Sequence, residues 1–305
     1  MKHSIKIILI ILVMFLVAQL IGIAVVKIYS PQTKQIISEN GSITNTTIYN
    51  LPYGLNPPEG ASPKGTLLSI IIGIVFAVIL MFILMRIKAE LFLRLWFFFV
   101  VTIAIAITLN AVFLGISYSS IIALAIALPI AFVKIFQRNI IVHNLTELMI
   151  YPGIAAIFVS LLNVWTVILL LILISLYDIY AVWHVGFMQK MAKYQIQKLR
   201  LFAGFFIPYT EGNKQDLIQN PKKSSQKKRV KVNVAILGGG DVVFPIILAG
   251  VVFREFGLLS AIIISLGATL ALLGLYYISK KGKFYPAMPF LSIGCFLALI
   301  LVYLI

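Results

Sequence analysis

The stretch AILGGGDVVFP, residues 235–245, sets one carboxylate, Asp241, behind three consecutive glycines in a run that is otherwise apolar. Its surroundings are hydrocarbon by composition. Of 305 residues, 61% are hydrophobic and 11% charged, with a mean hydropathy of +1.07, whereas a soluble domain carries roughly a quarter of its residues charged. The chain therefore reads as an all-α polytopic membrane protein. A carboxylate buried in such a chain costs on the order of 3 kcal/mol and survives where it faces a partner or a water-filled cavity. The net charge of +16 does not point to nucleic acid, because most Lys and Arg flank apolar runs, where they set orientation in the lipid bilayer. The single cysteine, Cys295, excludes an internal disulfide and a cysteine metal site.

Apolar runs of about 20 residues, the length that crosses a bilayer, predict nine spans: residues 5–26, 65–85, 94–115, 118–134, 146–162, 164–187, 232–252, 257–279 and 284–304. They group as six N-terminal spans over 1–187, a mobile cytoplasmic loop over 188–231 and three C-terminal spans over 232–305. The Pro, Gly and Asn-rich segment after the first span reads as an exposed loop with little regular structure. With the N-terminus inside, 21 of the 25 Lys and Arg fall on inside loops and their edges, which predicts a cytoplasmic N-terminus and an outside C-terminus.

Of nine acidic residues, two lie deep in apolar runs, Asp241 and the Asp178 of LILISLYDIYAVWHVGF (171–187); Glu147 marks the edge of the fifth span. Asp178 stands about nine residues before the end of span six and Asp241 about nine after the start of span seven, so at ~1.5 Å per residue both sit roughly 14 Å from the cytoplasmic edge. On neighbouring spans the two side chains can meet. Carboxylates in contact do not readily ionise together and share a proton, the electronic arrangement of an aspartic protease. Two acids alone favour a proton or cation relay in a transporter or channel over that chemistry.

Three motifs in order change the balance: YD at Tyr177 and Asp178, GGGD at Gly238, Gly239, Gly240 and Asp241, and PAMP at Pro286, Ala287, Met288 and Pro289. With these the chain resembles the presenilin and signal-peptide-peptidase family of intramembrane aspartyl proteases, whose G-x-G-D and Pro-Ala-Leu motifs they match, Met288 standing for the leucine. The resemblance implies a nine-helix presenilin-like fold, Asp178 and Asp241 as the catalytic pair, and Tyr177, the three glycines and Pro286 to Met288 as residues shaping the active site. It implies no cofactor and single-span membrane proteins as substrates; accessory subunits and self-association stay open. The charge tally matches the presenilin orientation, and compact loops point to a microbial, archaeal-type homologue in a cell membrane.

A dinucleotide fingerprint is excluded because Val243 stands where its third glycine belongs. The glycines allow close helix packing and weaken the helix, and Pro245 lacks the N–H that would bond the Asp241 carbonyl. Upstream, RVKVNVAIL (229–237) alternates β-branched and polar residues over Val230 to Val234, which fits either the polar start of span seven or a strand that could receive an unwound substrate. The two prolines of PAMP forbid a regular helical start to span nine. Within the long loop, YQIQKLRLFAGFFIPY (194–209) reads as an interfacial segment, and its end LFAGFFIPY (201–209) by resemblance as a self-cleavage or lid segment.

Overall fold

The computed structural model describes residues 5–37, 43–58, 62–87, 89–137, 139–185, 203–210, 232–279 and 285–305. Nine α-helices run through these residues: α1 (Ile5–Tyr29), α2 (Pro63–Arg86), α3 (Glu90–Val112), α4 (Ser119–Phe136), α5 (Ile140–Leu161), α6 (Val164–Tyr180), α7 (Gly239–Phe256), α8 (Leu258–Ile278) and α9 (Met288–Leu304). Seven are long and apolar enough to cross a membrane. The other two are α7, whose 18 residues include Asp241, Arg254 and Glu255, and α9, with 17 residues. The chain is an integral, multi-pass membrane protein.

Local chemistry places several of these ends. Asn139 caps α5 by accepting the Ile141 and Val142 amides at 2.9 and 3.2 Å. Asn163 and Thr166 exchange side-chain to backbone bonds of 2.9 Å at the start of α6, a reciprocal cap that satisfies two otherwise orphaned amides. Gly257, at φ +86°, makes the tight turn from α7 into α8, a conformation that costs glycine little.

Helix α7 is the core of the bundle. Val242, Ile246, Leu248, Ala249 and Val252 are fully enclosed, and α1, α5, α6, α8 and α9 all pack against it. By contrast α2 exposes Leu68, Ile72, Val75, Phe76 and Ile79, a face suited to lipid, where no hydrophobic force drives helices together and close packing with buried polar contacts must hold them. Gln19 of α1 supplies one such contact, donating to the Val242 carbonyl at 3.1 Å. Arg254 supplies another by donating to the Val159 carbonyl at the end of α5.

Four strands depart from an all-helical reading. β1 (Gln32–Ile37) and β2 (Ile43–Ile48) form an antiparallel pair in the segment expected to be irregular. Their Thr- and Ile-rich sequences favour strand and prevail over the Pro and Gly signals around them. β3 (Gly204–Thr210) and β4 (Val232–Gly238) form a second antiparallel pair, with Gly204 opposite Gly238 and Thr210 opposite Val232. The expected seventh span therefore begins seven residues late: Val232–Gly238 is strand, and helix starts at Gly239. Equal helical depth for the two acids consequently does not hold. A strand advances about 3.3 Å per residue, and Asp241 lies in the first turn of α7. Span six likewise ends its α-helix at Tyr180 and continues as a π-helix over Ala181–Val185, while span nine starts at Met288 and not at residue 284. Of the loop 188–231, the segments 188–202 and 211–231, which hold every Lys and Arg of the loop, lie outside the described residues. The expected self-cleavage segment is strand from Gly204 onward.

Candidate active site

Three helix ends converge where regular structure is interrupted. Asp178 lies in the last turn of α6, Asp241 in the first turn of α7 and Met288 at the first position of α9, and these helices pack pairwise on one another. Ser175 and Ser292, 2.8 Å apart, tie α6 to α9 one turn away. The prolines of PAMP explain the third end. Pro286 and Pro289 keep the chain from entering helix before Met288, so the amide of Met288 has no partner within α9 and points outward. It donates to Asp178 Oδ2 at 3.1 Å. Asp178 thus holds an anion's usual place at a helix N-terminus and is 6% exposed.

Asp241 is set by its glycines. Gly238 is the N-cap of α7, and Asp241, three residues on, turns its carboxylate back to the Gly238 amide, the half of a capping box that an acid at this position supplies. A β-carbon on Gly238 would stand 3.0 Å from Asp241 Oδ2. One on Gly239 would stand 3.0 Å from the Tyr151 ring and 3.4 Å from the Ala203 carbonyl oxygen, the atom that accepts the Gly239 amide at 3.1 Å. Asp241 is within electrostatic range of Asp178 and is partly accessible. Two carboxylates so placed can together hold one proton, take a second from water and return it to a leaving group.

The remaining residues expected at the site divide. Pro286 and Met288 are buried and Ala287 is half-buried, all at the α9 end beside Asp178. Gly239 is buried and Gly240 exposed. Tyr177, adjacent to Asp178 in sequence, is 47% exposed. Successive positions on a helix lie about 100° apart, so the two residues occupy different faces of α6.

Glu147 is a third enclosed carboxylate. It lies two turns inside α5 and is 1% exposed, not at a span edge. Lys134 of α4 donates to it at 2.6 Å, and His143 stands one turn away. An apolar cavity of about 340 Å³ opens beside them, bounded by Ile70, Phe97, Tyr151, Gly239, Gly240 and Phe244 among others. Lys134 and Glu147 belong to different helices, so their pairing has no signature in sequence spacing.

Over residues 54–305 the chain matches a family model described as signal-peptide peptidase, presenilin aspartyl protease. Two solved structures share its fold along nearly the whole chain. One is a presenilin family intramembrane aspartate protease in space group C222, 17% identical, TM-score 0.57, covering 95% of this chain and 94% of that one. The other is a presenilin family intramembrane aspartate protease in space group P2, 19% identical, TM-score 0.60, covering 96% of each chain. No curated protein matched the chain.

Proposed function

The chain belongs to the signal-peptide-peptidase and presenilin family of aspartyl proteases, and from that premise we propose that Asp178 and Asp241 are the catalytic pair with which it cuts membrane-spanning helices. As a member of that family it is an intramembrane aspartic endopeptidase. The observation that carries the residue assignment is that the last turn of α6 and the first turn of α7, on helices packed against one another, bring Asp178 and Asp241 within electrostatic range of each other. In the reaction the pair holds one proton. The ionised carboxylate takes a proton from water as the water oxygen bonds to the scissile carbonyl carbon, and the protonated one gives its proton to the carbonyl oxygen. Collapse of the tetrahedral gem-diol breaks the C–N bond, with a proton passing to the departing nitrogen. No metal or nucleotide takes part.

The proposed substrates are single-span helices, for which the cavity beside Gly239 and Gly240 offers apolar side-chain space. The chain is placed with nine spans, the N-terminus and the connection 188–231 cytoplasmic and the C-terminus outside, since the basic residues fall on that side, in a microbial cell membrane as the compact loops indicate.

A peptide bond inside a helix is shielded and must be extended before attack. β4 supports a site for that step, because it leads straight into Gly238–Asp241. Gly204 and Phe206 turn their backbone groups away from β4, to α5, so their opposite numbers Gly238 and Ile236, and with them Val234, turn theirs outward on the other side, the Gly238 N–H being held by Asp241. Added strands bind through such groups. Val234→Pro removes one outward N–H without touching the pairing with β3, and is expected to lower kcat/KM by about fivefold to tenfold, the worth of one hydrogen bond, at unchanged melting temperature. Unchanged cleavage by this variant would remove β4 from the substrate path.

The deciding experiment incubates purified protein in detergent with a single-span reporter and identifies fragments by mass spectrometry. The rival reading, a transporter or channel using the same acids, predicts intact reporter and Asp-dependent ion flux in liposomes; observing that pair of results would overturn the protease assignment for these residues.

A further inference from the structure

β3 has an outer edge as well, and α5 closes it. Asn144 grips Phe206 with both ends of its amide: Oδ1 accepts the Phe206 N–H and Nδ2 donates to the Phe206 carbonyl, each at 2.9 Å. This is the pair of bonds a neighbouring strand would make. The adjacent His143 donates from Nε2 to the Gly204 carbonyl at 2.8 Å, and one turn along Glu147 Oε1 accepts the Gly204 N–H at 3.4 Å. The next outward position, Pro208, has no N–H to offer. Tyr151, a further turn along the same face, meets Phe205 edge-on with ring centroids 5.5 Å apart and fits against Gly239. Thus one face of α5, at positions 143, 144, 147 and 151, holds β3 at 204, 205 and 206 and reaches the start of α7.

The charged pair behind this face sets the histidine. Lys134 Nζ lies 2.6 Å from Glu147 Oε1 and 3.4 Å from His143 Nδ1. Because an ammonium only donates, Nδ1 must accept. The ring proton is therefore on Nε2, aimed at Gly204. Lys134 and Glu147 are 5% and 1% exposed. A buried ion pair is poor evidence of a stabilising purpose, since well-packed apolar residues of like volume often serve stability as well or better.

We propose that His143 and Asn144, with Lys134 and Glu147 fixing the histidine, are positioning residues of the protease: they hold β3, and through its pairing with β4 they set the place of Gly238 and hence of Asp241. The inference rests on the catalytic assignment of Asp241. It also leaves β4 as the one strand of this pair with an open edge among the described residues, so an extended substrate has a single edge to join.

The test uses the full chain in detergent. Asn144→Ala and His143→Leu are each expected to lower kcat by about tenfold to a hundredfold, the effect of a displacement near 1 Å at a reacting group. KM should stay within about twofold, as expected when an interaction acts at the transition state alone. His143→Gln, whose amide can still donate to Gly204, should recover most of the rate. Hydrogen exchange supplies a readout independent of cutting: amides of 232–238 should exchange faster in Asn144→Ala and His143→Leu, with α3 and α8 unchanged. Wild-type kcat in both variants overturns the proposal. So does a loss of protection spread over the whole bundle with no recovery in His143→Gln. If the wild-type protein itself cuts no reporter, the protease reading has failed separately, and exchange over 232–238 still decides whether the clamp exists.

Discussion

Asp241→Asn is expected to leave a folded protein that cuts a single-span reporter at least ~10²-fold to 10⁴-fold more slowly than the native chain, the range for loss of a general acid or base. Asp178→Asn should do the same. An amide can neither take a proton from water nor give one to a developing oxyanion, so one replacement stops both halves of the proton exchange. Residues that act as a unit are strongly non-additive, and the double variant should be no slower than either single one. Two independent sites would instead multiply their effects.

Asparagine is the sharper replacement because Asp178 has a second duty. Its Oδ2 accepts the Met288 amide, and an asparagine oxygen can keep that bond. Asp178→Ala would abolish cutting as well but would leave a buried N–H without a partner, at a cost of about 1–3 kcal/mol, and would mix a folding defect into the result. The melting temperature of Asp241→Asn should stay level or rise, since a carboxylate in an enclosed membrane site is costly. Fragment analysis by mass spectrometry with a thermal melt of each variant checks both halves of the expectation. Native rates in both single variants would end the assignment.

What could be read in advance divides along a physical line. The two aspartates stood out because a charge in an apolar run is expensive and rare, so each residue is informative by itself. PAMP was legible for a similar reason: proline acts on its own backbone, and the late start of α9 at Met288 follows from covalent geometry. β4 was half legible, since alternation over Val230–Val234 fits strand, yet only a partner decides between a strand and the polar start of a helix. That partner, GFFIPYT at 204–210, lacks alternation and falls at the end of a stretch, 194–209, that reads as interfacial. It becomes strand because β4 pairs with one edge and Asn144 with the other. The depth match between the two acids fails for the same reason: it assumed helical rise through Val232–Gly238, where pairing imposes strand. Lys134 and Glu147 look like ordinary residues near span ends until the packing of α4 on α5 brings them together.

Gly153 shows how far such hidden packing matters. In sequence it is an unmarked glycine after Pro152 in span five; in the structure it is where α5 crosses α3. A β-carbon there would fall on the Ala104 carbonyl oxygen and stand 2.8 Å from its carbon and 3.1 Å from its Cα. These are backbone atoms of a helix and cannot rotate aside, so the helices must separate. Thr108, which donates to the Met149 carbonyl across the same crossing at 2.6 Å, would lose its partner. Overpacking of this kind costs typically 1–3 kcal/mol and occasionally more, and Gly153→Ala is expected to lower stability by about that amount, with Gly153→Leu yielding no folded bundle. The control is Gly73 in α2, where nothing lies within 4 Å of an added β-carbon. There alanine should be neutral or stabilise by up to about 1 kcal/mol through helix propensity. Thermal melts in detergent distinguish the two, and equal melts for Gly73→Ala and Gly153→Ala would refute the crossing. Because Tyr151 and the His143, Asn144 and Glu147 face ride on the same helix, Gly153→Ala should also lose cleavage in step with any displacement of β3. Through the proposed clamp, this close approach of two helices some way along α5 would bear on where Asp241 sits.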